Sequence, residues 1–200
     1  MATIAAVFTW PLPARLASVT AFGYAVGCLN AAYSLVQLRR RADVRDVHSG
    51  NAGATNAGRV LGRRGFIAVL VLDAAKGALA AAIGCWVAGA AGGACGGIAA
   101  VAGHVWPAQL GFRGGKGIAT AIGAFLVLEP VTLLCVVALA GALFAVSRRW
   151  SASGLMAVAV APLVALALGR PLATLATIAA AVTVILGAHR GDLAESRAAS

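Results

Sequence analysis

Residues 66–90 read FIAVLVLDAAKGALAAAIGCWVAGA. A bilayer core about 30 Å thick is crossed by about 20 helical residues, and this run is long enough to do so without a polar face. Only Asp73 and Lys76 interrupt it. Spaced three apart, they share one side of a helix, and charges in hydrocarbon are costly enough that they pair. They read either as a structural ion pair or as support for a neighbouring site.

Outward from this run, the composition is of one kind. The chain has 200 residues, of which 61% are hydrophobic and 11% charged, with a mean hydropathy of +0.91. That excludes a soluble domain and points to an all-α, polytopic integral membrane protein. The apolar stretches are 18–38, 66–90, 91–110, 118–128, 131–146, 153–168 and 171–188, which predicts about seven transmembrane helices. The stretch 118–128 is short for a span, and with 131–146 it could form a re-entrant hairpin about Glu129 and Pro130. No repeat or low-complexity linker divides the chain, so residues 1–200 are expected to form a single membrane-embedded domain. The opening MATIAAVFTWPLP has neither a basic leader nor a small-residue cleavage site, so no removable signal peptide is expected. Cys28, Cys85, Cys95 and Cys135 have no metal-ligand spacing and read as packing residues, and neither a metal nor a cofactor is expected.

The basic residues orient the helices. Of sixteen, thirteen fall on alternate connections: Arg39, Arg40, Arg41, Arg45, Arg59, Arg63, Arg64, Arg113, Lys116, Arg148, Arg149, Arg190 and Arg197. Arg15 and Arg170 lie on the opposite side. By the positive-inside rule the N-terminus is expected outside and the C-terminus in the cytoplasm. The net charge of +10 is then mostly topology, and no nucleic-acid partner is implied.

Three polar clusters fall on the basic side. The first, HSGNAGATNAGRVLG at 48–62, offers Ser49, Asn51, Thr55, Asn56 and Arg59 as donors among glycines that let a backbone approach a ligand. Helix caps and turns would use the same residue types. The second, GHVWPAQLGFRGGKGIAT at 103–120, places Gly114, Gly115, Lys116 and Gly117 just before an apolar helix. Free amides, a helix N-terminus and an ammonium suit a phosphate there, and a juxtamembrane anchor is the plainer alternative. It is not a Walker A loop, since Leu110 stands where Gly is needed and Gly117 where Ser or Thr is. His104 is expected to hydrogen-bond the neighbouring loop. The third, AHRGDLAE at 188–195, puts His189 and Asp192 on one helix face, in a site or at a solvated helix end. On the residues alone, an anion-handling membrane protein competes with an enzyme.

The motifs resemble a family. SGNAGATNAGR, the LDxxKG pattern at 72–77 and GHVWPAQLGFRGGKGIAT are similar to those of the bacterial glycerol-3-phosphate acyltransferases that use acyl-phosphate, the PlsY family. The likeness runs from about Gly27 to Glu195. It implies transfer of a fatty acyl group from acyl-phosphate to the 1-hydroxyl of sn-glycerol 3-phosphate, giving lysophosphatidic acid and phosphate, in the bacterial cytoplasmic membrane. By the same resemblance Ser49, Arg59, His189 and Asp192 form the catalytic set. Asn51, Thr55, Asn56, His104 and the loop of Gly114, Gly115, Lys116 and Gly117 bind substrate or phosphate. Membrane lipid and the enzyme supplying acyl-phosphate are the partners it suggests. Three positions depart from the family pattern: Gly27 to Asn30 read GCLN where members often have GSIP, His48 replaces a Gly, and Asp192 replaces an Asn.

Overall fold

A computed structural model describes residues 8–191, and every regular element among them is helical. The chain forms two compact units, divided between Leu128 and Glu129.

The first unit opens with helix α1, Leu12–Cys28, and helix α2, Ala31–Arg40. The expected continuous span 18–38 is therefore broken. Leu29 is extended and Asn30 restarts the chain, its side-chain oxygen accepting the Tyr33 amide at 2.8 Å as an N-cap. α2 ends at Arg41, which adopts the left-handed conformation, and Arg39 and Arg40 sit in its last turn where cations favour the helix dipole. A 3₁₀ turn, Val44–Asp46, leads to the long helix α3, Ala54–Val105. α3 is three arms. Gly62 (φ 75°) separates residues 54–61 from 63–87, and Ala88 with Gly89 (φ 63°) separates the latter from 90–105. The glycines supply the positive φ that each turn requires. A second 3₁₀ turn, Ala108–Leu110, and helix α4, Ile118–Leu128, complete the unit.

Small residues let these helices touch backbone to backbone, as helix contacts in a membrane require in place of a hydrophobic drive. A Cβ at Gly23 or Gly27 of α1 would overlap the carbonyls of Gly96 or Ala100 in the third arm of α3. Gly77 and Gly123 bring the second arm against α4 in the same way, meeting the Thr120 and Ala74 carbonyls. Outside this seam, a small core of Ala32, Val36, Val44, Ala52, Ala57 and Val69 is fully buried and fastens α2 and the first arm of α3 onto the bundle.

The second unit contains helices α5, Pro130–Ser147; α6, Trp150–Ala159; α7, Ala161–Ala167; and α8, Leu172–Ala188. Glu129 precedes α5 and pairs with Arg170 at 3.1 Å. Only Thr132 is buried in α5, so Leu134, Val137 and their neighbours expose an apolar surface suited to lipid.

All seven expected apolar stretches are helical. Among the described residues, three helical segments are long and apolar enough to cross a membrane, Leu12–Arg40, Ala54–Leu110 and Pro130–Ser147. The bent pair α6 and α7, at 49°, makes up to a fourth. Ala54–Leu110 alone contains two of the expected spans, turning at Ala88 and Gly89. α4, at 11 residues, extends only about 16 Å.

Candidate active site

The break between α1 and α2 organises the site. A helix that stops inside a bundle leaves carbonyls without partners, and these must be met from elsewhere. The Cys28 carbonyl accepts from the Gln109 amide, and the Leu29 carbonyl accepts from Lys76 Nζ at 2.8 Å. Asn30, while capping α2, donates its amide to the Ala52 carbonyl at 3.0 Å. Three consecutive residues thus tie the break to both motif loops and to the second arm of α3.

The loops are also tied to each other. The Ala52 amide donates to the Gly114 carbonyl at 3.3 Å, and Arg45 Nη1 to the Leu110 carbonyl at 2.7 Å. Arg45 is held in turn by Asp43, 2.6 Å from Nη2, and lies over the Tyr33 ring at 5.4 Å. The hydrogen bonds from Arg45 keep the Asp43 carboxyl below the usual carboxylate range.

The predicted residues divide between a facing set and a bracing set. Ser49 is exposed in a turn where His48 (φ 49°) and Gly50 (φ 65°) are left-handed and the Gly50 amide donates to Val47. Thr55 and Arg59, four residues apart on the first arm of α3, share its exposed face. Asn56 lies on the opposite face, 1% exposed, where its amide donates to the Val44 and Val47 carbonyls at 2.7 and 3.0 Å. Its observed role is to hold the loop. Asn51 folds over Gly53, its side-chain oxygen buried without a hydrogen-bond partner among the described residues. Gly58 admits Phe66, whose Cβ would lie 2.9 Å from a Cβ there, so the first arm folds back on the second.

In the second loop the expectation of free amides needs correction. The Gly114 amide donates to Val105 and the Gly115 amide to the His104 carbonyl, at 3.1 and 3.0 Å. The amides left to serve an anion are those at the head of α4, which have no carbonyl within their own helix. Half-buried Lys116 stands just before them. The bond from His104 to the loop is made by its backbone carbonyl and not, as expected, by the ionisable ring. Its ring turns inward, Nδ1 lying 2.9 Å from Lys76 Nζ and 3.5 Å from Asp73 Oδ1. Lys76 and Asp73 pair at 2.9 Å. No sequence spacing signals this third member, which lies 28 residues from Lys76. Asn30, Arg45 and Gln109 were likewise unsignalled.

In the second unit His189 is buried at the end of α8, its Nδ1 donating to the Ile185 carbonyl at 2.8 Å. Asp192 lies outside the described residues.

The family model described as glycerol-3-phosphate acyltransferase matches residues 17–198. The chain belongs to the glycerol-3-phosphate acyltransferase family. Among its relatives, glycerol-3-phosphate acyltransferase 1 of Desulfitobacterium hafniense (strain Y51) is 43% identical over 184 residues, covering 86% of each chain. The glycerol-3-phosphate acyltransferase of Rhizobium meliloti (strain 1021) is 41% identical over 165 residues, 82% of this chain and 80% of its own. The crystal structure of PlsY (YgiH), described as an integral membrane glycerol 3-phosphate acyltransferase in its glycerol 3-phosphate form, superposes with a TM-score of 0.84. It is 29% identical and 92% of each chain is covered. Its lysophosphatidic acid form gives 0.81 at 28% identity. In this family member, as in that integral membrane relative, the fold is a polytopic helical one.

Proposed function

We propose that the chain transfers a fatty acyl group from acyl-phosphate to the 1-hydroxyl of sn-glycerol 3-phosphate, giving lysophosphatidic acid and inorganic phosphate. The observation that carries this reading is the joining of the two motif loops. The Ala52 to Gly114 hydrogen bond brings the loop of Ser49 and the exposed Arg59 face beside the Gly114–Gly117 turn with Lys116. Two cationic side chains and the head of α4 are the fixed positive charge needed to hold two anionic substrates together. The kinship with relatives named for glycerol 3-phosphate acyl transfer supports the acceptor.

An acyl-phosphate is already activated. The acceptor hydroxyl oxygen forms a bond to the carbonyl carbon, the carbon–oxygen bond to phosphate breaks, and the phosphate leaves with the electron pair. The hydroxyl proton passes to a phosphate oxygen or, as the family resemblance implies, to His189. Transfer is direct, and Ser49 and Arg59 serve position and charge in place of an acyl-enzyme. Asn51, whose side-chain oxygen is buried and without a hydrogen-bond partner among the described residues, suits a glycerol hydroxyl. Residues 1–200 act as one functional domain, in the bacterial cytoplasmic membrane with both loops on the cytoplasmic side, and the enzyme making acyl-phosphate is the expected supplier.

Purified protein given glycerol 3-phosphate should form lysophosphatidic acid from acyl-phosphate and not from acyl-CoA. Equal or faster turnover with acyl-CoA overturns the donor. Single cysteines at exposed Arg63, Arg113 and Arg190, in a background lacking the native four, should resist an impermeant thiol reagent until cells are lysed. Labelling of any one from outside overturns the orientation.

A further inference from the structure

We propose that Lys76, braced by Asp73, is a positioning residue that locks His104 in its Nε2–H tautomer, so that a neutral donor faces the Gly115 turn. The inference rests on the reading of the Gly114–Gly117 loop as a phosphate site.

The geometry begins at Lys76 Nζ. Three atoms that can receive its protons surround it: the Leu29 carbonyl at 2.8 Å, Asp73 Oδ1 at 2.9 Å and His104 Nδ1 at 2.9 Å. An ammonium has no lone pair, so the two neighbours in hydrogen-bonding geometry, the Leu29 carbonyl and His104 Nδ1, must accept, while Asp73 Oδ1 contributes as the ion-pair partner. Nδ1 of His104 therefore carries the lone pair, and the ring proton is on Nε2. The reverse arrangement, a cationic imidazole beside a neutral amine, would take the proton from the ammonium that lies 2.9 Å from the Asp73 carboxylate and place it on a ring 3.5 Å away. Asp73 and Lys76 cancel in charge, and a further proton on His104 would leave an unbalanced cation among buried groups. Asp73, Lys76 and His104 are all buried.

The other edge of the ring has an equally definite neighbour. A Cβ on Gly115 would overlap His104 Nε2 and lie 2.7 Å from Cε1, with the Ala52 carbonyl 3.0 Å away. Nε2 thus meets the second motif loop at the point where it touches the first. The Gly115 amide is bonded to the His104 carbonyl, so ring and backbone of one residue hold the turn from two sides. A pair needed only to fill the membrane interior would have no reason to end on a polar donor beneath a glycine turn.

Two amide substitutions separate the roles of the ring nitrogens. His104→Gln can place an N–H near the Nε2 position, whereas His104→Asn reaches only as far as Nδ1. The expected result is a KM for glycerol 3-phosphate or acyl-phosphate raised about tenfold or more in His104→Asn with kcat little changed, and largely restored in His104→Gln. Equal kinetics for the two variants, or a better Asn than Gln, overturns the proposal. Lys116→Ala is the control. If it too leaves both KM values unchanged, the phosphate-loop reading has failed; if it raises one while Asn and Gln agree, that reading stands and the lock alone is wrong. A measurement on the unmodified protein avoids dependence on variant folding. In ¹⁵N-histidine spectra, with His48→Gln and His189→Gln identifying the other two rings, His104 should show an unprotonated Nδ1 and a protonated Nε2 across the neutral pH range. A protonated Nδ1 overturns the assignment.

Discussion

His104 and His189 are both buried and both held through Nδ1, but by partners of opposite kind. The first meets an ammonium, which can only donate; the second meets the Ile185 carbonyl, which can only accept. A neutral His189 therefore keeps its proton on Nδ1 and its lone pair on Nε2, the reverse of His104. Their surroundings differ too. His104 sits on a charged pair and a broken helix, whereas His189 is tied to its own helix four residues back. One ring is held through Nδ1 by an ammonium, and the other directs its Nδ1 proton to a backbone carbonyl.

The strongest way to break this contrast is to remove Asp73. Asp73→Ala leaves Lys76 buried without its counter-charge, which costs about 3–5 kcal/mol. Thermal unfolding in detergent should fall sharply or folded protein should be lost. His189→Gln, which keeps a polar side chain of similar size and breaks no buried ion pair, should unfold nearer the wild-type temperature than Asp73→Ala. Similar unfolding temperatures for the two variants would abolish the distinction. Replacing Asp73 and Lys76 together by leucine should recover much of the stability, since a pair removed whole is often tolerated. Substrate affinity should remain impaired.

Next in size is Lys116→Ala. Loss of a charge-assisted contact to phosphate amounts to roughly 1.5–3 kcal/mol, or about a 10- to 150-fold rise in KM for one of the two phosphate-bearing substrates. Ser49→Ala and Arg59→Ala should lower turnover without moving the unfolding temperature, because both side chains are exposed. Near wild-type kinetics in all three would return both loops to the role of turns and anchors.

These effects depend on features of unequal legibility in the sequence. Hydropathy made all seven helical stretches visible, because lipid demands long apolar runs wherever the chain crosses. The Asp73–Lys76 pair was visible because its spacing is local. His104 was not visible as its third member, since nothing in a sequence says which side chain lies across a bundle from which. The same limit hid the Gly23 and Gly27 contacts with the third arm of α3. Glycines are common in membrane helices, and only the register of two helices decides which become contacts. The broken first span was hidden for another reason. Its apolar character continues through Leu29, while the stop is set by Asn30, whose two long-range tasks are conferred by the fold.

Asp192→Asn is expected to act more weakly, through charge alone. On the proposed membership of Asp192 in the site, a carboxylate would oppose two anionic substrates, and an amide would keep a polar group without that repulsion. The variant should lower the apparent KM by a few-fold, on the order of 1 kcal/mol for one screened charge, and preserve or raise turnover. A clear loss of activity at neutral pH would instead mean that Asp192 keeps His189 cationic.

The smallest effect belongs to the Asp43–Arg45 clamp, and it determines how the histidine comparison can be read by pH. Asp43 is held below its ordinary range by hydrogen bonds from Arg45, so its contribution to folding is present above the unfolded carboxylate value of about 3.9 and is lost as the pH falls through the lower folded value. Between about pH 5 and 8 the clamp does not titrate, and over that interval a histidine is the side chain expected to change charge. On the proposed tautomer of His104 and the proposed role of His189, the activity profile there should follow His189: His189→Gln should flatten it and Asp43→Asn should leave its shape unchanged. Asp43→Asn also removes a partly exposed ion pair, worth less than about 1 kcal/mol, so its KM values should stay within about threefold of wild type. A mid-range inflection that disappears in Asp43→Asn and survives in His189→Gln would transfer the pH response from the end of α8 to the loop joined to Leu110.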